Sequence, residues 1–401
     1  MFDAAYFADP YPVWAQLREK GPIHFQPGLG WLALRHRDIK ALARCPHMSS
    51  AQTLTARLSG LSPEVQEAAQ PILAVASRSG LLLADPPDHT RRRAQAISAF
   101  TARNVEAWRS RIEAIANMLI DKVADAGSMD VIRDFAFPLP ATVIMELLGI
   151  PVQDRDRLKA WSDTTIEFLS ALGTCPDPLA LTRRAADTSQ IMREYFDTLV
   201  TEKRARPAPD FLSALVSVQQ AEDGRLNHEE LLTQSAALLV AGHETTTNLI
   251  GNGLLALLKN PEQMASMRAN PELARSGVEE LLRYDPPVQM LPRAATADFE
   301  IAGQSIRKGE VFSVVMAAAN RDPDAFPDPD RLDLRREKND HLSFGFDRHM
   351  CLGAQLARLE AQIAFRVLLE RLPSLTLVSD PIEWNCNVGL RGLKSLHVRW
   401  S

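Results

Sequence analysis

Apolar residues in the second half of the chain recur with a helical period. Asn227, with Glu230 three positions on, offers an N-terminal capping pair. The apolar series then runs through Leu231, Leu238, Leu239, Leu249, Leu254 and Leu258 to a stop at Asn260-Pro261. This predicts one helix from His228 to Lys259, roughly 48 Å long at about 1.5 Å per residue. Its centre is polar, with His243, Glu244, Thr245, Thr246 and Thr247 in succession. It is therefore no membrane span, for which an unbroken apolar run of roughly 20 residues is expected. A second amphipathic helix begins near Leu352, where Leu352, Leu356, Leu359, Ile363 and Val367 keep the same period. Runs with β character are shorter and fewer: Trp31 to Leu34, Phe299 to Ile301 ahead of Gly303, Val311 to Val314, and Ser395 to Val398. Asn320 to Asp333 is broken by Pro323, Pro327 and Pro329; prolines remove donors and restrict their predecessors, so this stretch is ordered coil. The pattern predicts a mainly α chain with small β-sheets.

Composition narrows the class. A chain of 401 residues with 46% apolar and 24% charged residues is ordinarily globular, and no linker or repeat divides it, so residues 1–401 read as a single domain. A net charge of −5 without a basic tract argues against a nucleic-acid partner. Cys45, Cys175, Cys351 and Cys386 are widely spaced with no paired motif, which indicates neither a disulfide framework nor a zinc site and fits a reducing compartment. The first ten residues lack a basic start and an apolar core, so no signal peptide or membrane anchor is recognisable and a cytoplasmic location is expected.

Candidate chemistry concentrates at two places. In Phe344 to Ala354, Cys351 stands in a glycine-flanked loop directly ahead of the second helix. Free N–H groups and the helix dipole stabilise a thiolate there, and Gly353, without a Cβ, lets the backbone approach a flat cofactor. A lone cysteine is otherwise a buried, inert side chain. In the long helix, Ala241 and Gly242 place two small residues beside Glu244 and Thr245. A carboxyl next to a hydroxyl suits proton delivery; the plainer role of such a threonine is a bond to the carbonyl one turn earlier. Glu280 and Arg283 sit one turn apart, a spacing that most often makes a surface ion pair.

The cysteine loop, with Phe344 and His349 ahead of Cys351, resembles the haem-thiolate signature of the cytochromes P450. Ala241 to Thr246 is similar to their oxygen-activation motif, and the likeness extends from Asp9-Pro10 to Arg391-Gly392-Leu393. The resemblance implies the P450 fold and a haem b cofactor. Cys351 would be its axial ligand, Phe344, Gly353 and Ala241 its neighbours, and Glu244 and Thr245 the proton managers. His89, Arg93, Arg293 and His349 match the propionate partners, and Glu280, Arg283 and Arg331 a buried structural triad. Substrate lining would come from Ala237, Val240, Val288, Gln289, Leu291 and Leu393. The implied reaction inserts one atom of O₂ into a hydrophobic small molecule, whether polyketide, terpenoid, steroid or fatty acid. No flavin or iron–sulfur segment is attached, so electrons are expected from a ferredoxin and its NAD(P)H-dependent reductase, with Arg91, Arg92 and Arg348 as candidates for the docking surface. Two rivals stand beside this reading: a P450-fold enzyme that uses peroxide or couples carbon centres, and a non-catalytic haem-binding protein. One position departs from the signature. Asp347 occupies a place usually held by glycine, and Asp is among the few other residues that tolerate a left-handed backbone.

Overall fold

The computed structural model describes residues 2–220, 226–378 and 381–401. The central helix forms over His228–Lys259, as the pattern predicts. Its start is fixed by a reciprocal capping box: the Asn227 side chain accepts from the Glu230 N–H at 2.9 Å, and the Glu230 carboxylate accepts from the Asn227 N–H at 3.0 Å. The helices Pro138–Leu148, Pro178–Ala205, Leu273–Tyr284 and Ala354–Arg371 pack around it. Gly242 allows one of these approaches, since a Cβ there would lie 2.7 Å from Ile144 Cγ1. The C-terminal half of the central helix is dry. Leu249, Ile250, Leu254 and Leu257 join Leu281, Phe365 and Leu368 in the main core, where each fully buried apolar side chain contributes about 1.5–3 kcal/mol.

Three small sheets flank the helices. The largest runs in the order Ile23–Gln26, Gly30–Ala33, Val311–Val314, Leu291–Ala295, Met48–Ser49, antiparallel except where Gly30–Ala33 lies parallel to Val311–Val314. Ser128–Asp130, His397–Arg399 and Thr376–Leu377 form a second sheet, and Phe299–Ile301 pairs with Gln304–Ile306. Residues 320–333 are coil, entered from the short helix Met316–Ala319. No helix among the described residues is long and apolar enough to cross a membrane.

Candidate active site

Cys351 lies two residues ahead of Gly353, the N-cap of the helix Ala354–Arg371. Its loop is closed by backbone bonds. The Gly345 N–H donates to Leu342 O at 2.8 Å, the Met350 N–H to Asp347 O at 3.0 Å and the Cys351 N–H to Phe344 O at 2.7 Å. The turn needs two left-handed residues, Gly345 at φ 75° and Asp347 at φ 60°, so the aspartate adopts the conformation expected of it. The Cys351 side chain is accessible, yet burial pushes its thiol up, against the Gly353 N–H and the charges of Arg93 and Arg358. Accessible and desolvated together mean that the sulfur faces an internal space rather than bulk water. Ala241 has the same character: it is the only exposed residue between Glu229 and Leu258. A Cβ added to Gly353 would meet nothing within 4 Å, so that side of the loop is open too.

Basic groups crowd beside this loop. His89 is buried on the helix Asp88–Ala96, and its ring centroid lies 4.1 Å from that of His349. His349 Nε2 is 3.1 Å from Ser50 Oγ. Burial, with Arg293 and His89 adding charge, pushes His349 down to about 3. Burial also lowers Arg293 to about 10, opposed by Asp85, and lowers His89, with Arg93, Arg348 and Arg293 adding to the shift. Asp85 is itself held by the Ser50 N–H at 2.9 Å and the Ser49 hydroxyl at 2.5 Å. Such a cluster of desolvated bases is suited to a dianion. Among the described residues no group of three or more His, Cys, Asp and Glu side chains could hold a bare metal ion. A thiol such as Cys351 can ligate an iron already held by a macrocycle, and a metal-coordinated thiol gives up its proton. The donor set fits a haem with two propionates.

Burial raises Glu244, with Lys159 opposing, and Asn248 Nδ2 lies 3.5 Å from its carboxylate. Thr245 Oγ1 donates to Ala241 O at 3.2 Å, long for a hydroxyl donor. Glu280 and Arg283 are fully buried, with guanidinium–carboxylate contacts of 2.8 and 2.9 Å, and Arg283 also donates to the carbonyls of Asn320, Pro329 and Arg331.

Several expectations are corrected. The coil arginine on Glu280 is Arg336, at 3.1 and 3.2 Å, and not Arg331. Asp328 is left-handed at φ 46° and its carbonyl accepts from the Arg331 N–H; this turn presents the Arg331 carbonyl to Arg283 and leaves its side chain exposed. Arg92 is buried against Glu230 at 3.0 Å and donates to Gly80 O, so it cannot serve a docking surface, and Arg91 is also bonded to Glu230. Arg348 is exposed. Of the expected lining residues, Ala237, Val288 and Leu291 are half-buried and Val240 is buried. Leu393 is closed into the core near Gly251, and Gln289 is buried with its amide on Pro286 O at 2.7 Å; neither presents surface. Leu291 opens the strand Leu291–Ala295, and Val288 makes an isolated bridge to Leu390. Ser50, Asp85, Glu279 and Arg358 were not singled out in the sequence, where isolated polar residues carry no signal.

Comparison with known proteins agrees with this geometry. The cytochrome P450 family pattern matches residues 67–275 and 265–383. Cytochrome P450 monooxygenase PikC of Streptomyces venezuelae is 40% identical over 98% of this chain and 92% of its own length. The vitamin D(3) 25-hydroxylase of Pseudonocardia autotrophica is 37% identical over 99% and 95%. The structure of P450BioI in complex with hexadec-9Z-enoic acid ligated acyl carrier protein superposes with a TM-score of 0.90 at 35% identity, over 99% of both chains. The chain belongs to the cytochrome P450 family and is a haem-dependent monooxygenase.

Proposed function

We propose that this chain, as one domain over residues 1–401, holds haem b through the Cys351 thiolate, with His89, Arg93, Arg293 and His349 meeting the propionates. The observation that carries this reading is the accessible but desolvated Cys351 thiol set beside a cluster of desolvated bases. When bound, the haem supplies dioxygen activation, and thiolate donation favours O–O cleavage. The protein's own residues handle protons. Burial favours the protonated form of Glu244, so its carboxyl can release a proton toward the Thr245 hydroxyl, whose long bond to Ala241 O leaves it free to reorient. Phe344 stacks under the Arg358 guanidinium at 4.5 Å while its carbonyl holds the Cys351 N–H, which fixes the cysteine against its helix.

The product is a hydroxylated or epoxidised hydrophobic molecule of the polyketide, terpenoid, steroid or fatty-acid class. The apolar Ala237, Val240, Val288 and Leu291 support this, as does relationship to a vitamin D(3) hydroxylase and to an enzyme that binds a fatty acyl chain. Electrons come from a ferredoxin and its NAD(P)H-dependent reductase in the cytoplasm, with exposed Arg348 as one docking contact. The test is the reduced, CO-bound spectrum. Wild-type protein should give the red-shifted Soret band of thiolate ligation. Cys351→Ala should lose it, and changes at Cys45, Cys175 or Cys386 should not. An imidazole-type CO spectrum in haem-replete protein would contradict the reading.

A further inference from the structure

Among the described residues, Arg57 is a desolvated cation without a carboxylate beside it. It stands on the helix Thr53–Ser59, and its Nη1 donates to the carbonyl of Leu169 on the helix Arg155–Ala171. The other two nitrogens, Nε and Nη2, make no hydrogen bond within the described residues, yet they are not shut off, and the side chain keeps accessible surface. Burial nevertheless pushes the guanidinium down to about 10, so it is still charged at pH 7. Accessible and desolvated is the combination found at Cys351, and here too it places the free nitrogens on an enclosed space rather than in bulk water. Within the described residues, the one ionisable group that acts on Arg57 is Cys175, a thiol that burial raises and that is therefore neutral at pH 7. The nearby acids are engaged elsewhere: Glu167 accepts from Arg184 at 2.9 Å, and Asp177 from the Ala180 N–H at 2.9 Å.

The surroundings of Arg57 join the expected substrate lining. The helix Thr53–Ser59 lies against the strand that opens at Leu291. Ser170, next to Leu169, packs on Gly389, and the adjoining Leu390 bridges to Val288. Leu54, Leu58 and Phe168, from the same two helices, share one apolar cluster, a setting in which an unpaired charge is costly. The propionate cluster is a separate place, since Asp85 acts on Arg293 and Arg57 does not. Nε and Nη2 of one guanidinium present parallel N–H groups, a fork that matches the two oxygens of a carboxylate.

We propose that Arg57 is a specificity residue: its Nε and Nη2 hold the carboxylate of an otherwise apolar acid whose chain extends toward Ala241. The proposal rests on the monooxygenase reading and narrows its substrate to a carboxylic acid of the fatty-acid kind.

Haem-loaded protein is titrated at pH 7.5, following the spin-state change of ferric haem. Decanoic, lauric, myristic and palmitic acids are each set against the alcohol and the methyl ester of the same chain. Wild type should bind at least one acid about tenfold or more tightly than its alcohol and ester, the difference a charge-assisted hydrogen bond commonly makes. Arg57→Leu should lose that preference, bringing acid and alcohol to within about twofold; Arg57→Met serves the same purpose should the leucine variant fold poorly. The inference is overturned if wild type favours no acid over its alcohol and ester, or if the preference survives in the variants, another cation then holding the carboxylate. The CO band is the control. Its absence from haem-replete wild type overturns the proposed function and this inference with it, whereas a retained band with no acid preference, or with one that does not depend on Arg57, overturns this inference alone.

Discussion

Asp347 carries two opposed contributions in one side chain. Its left-handed backbone, at φ 60°, costs a non-glycine residue about 1 kcal/mol. Against that, its carboxylate lies 3.7 Å from Arg348 Nε with both side chains well exposed, and pairs of that kind contribute roughly 0–1 kcal/mol. Asp347→Gly should therefore leave the CO band in place and raise stability by up to about 1 kcal/mol. A melting temperature several degrees below wild type would show that the carboxylate matters more than the strain. Thr245 is the second residue whose weight can be measured. Its hydroxyl makes a long, 3.2 Å bond to Ala241 O, so Thr245→Ala should keep haem and ligand affinity yet release more hydrogen peroxide per NAD(P)H consumed. Unchanged coupling would shift the role to the buried neighbour Thr246.

At the scale of elements, the contrast between Arg336 and Arg331 separates chain direction from chain composition. Both follow Pro329 in one short coil, and both touch the Glu280–Arg283 pair, but only Arg336 does so through its side chain, which is 10% exposed beside a fully buried carboxylate. Arg336→Ala leaves Glu280 short of a cation and should cost several kcal/mol, on the order of 3–5; Arg331→Ala keeps its carbonyl and should change stability by less than about 0.5 kcal/mol. Denaturant unfolding of the two variants decides, and equal losses would refute the assignment. The same contrast shows what was legible in the sequence. The central helix was readable to its ends because a capping box and an Asn-Pro stop are local signals. Phe299–Ile301 and Val311–Val314 were readable as short alternating runs. The identity of the coil arginine was not, since it depends on a left-handed turn at Asp328 that leaves no mark in composition. Met48–Ser49 and Thr376–Leu377 were equally hidden, for strands of two residues have no period to detect.

Across the whole molecule, the cysteine loop is tied to the rest of the fold by Glu279, which the sequence does not distinguish from its neighbour Glu280. Glu279, on the helix Leu273–Tyr284, accepts from Arg358 on the cysteine helix at 2.7 and 2.9 Å and from His341 in the coil at 3.1 Å. The Arg358 guanidinium in turn covers the Phe344 ring. Three segments remote in sequence thus meet at one carboxylate. Burial works against its charge, but the hydrogen bonds from His341 and Arg358 outweigh it and hold the group at about 2, below its ordinary 4.5. A carboxyl depressed in the folded state stabilises the protein above its unfolded value, and that stability is lost as the pH falls toward the folded one. The contribution should be fully present above about pH 4.5, at roughly 2–3 kcal/mol, and should fade between about pH 4.5 and 2. Glu279→Gln should therefore be less stable than wild type by that amount at pH 7. The gap should narrow progressively on acidification, when both are unfolded with urea at a series of pH values. A gap that stays constant down to about pH 3 would mean that the carboxylate acts by shape and hydrogen bonding alone, because only a charge carried in the folded state produces the slope.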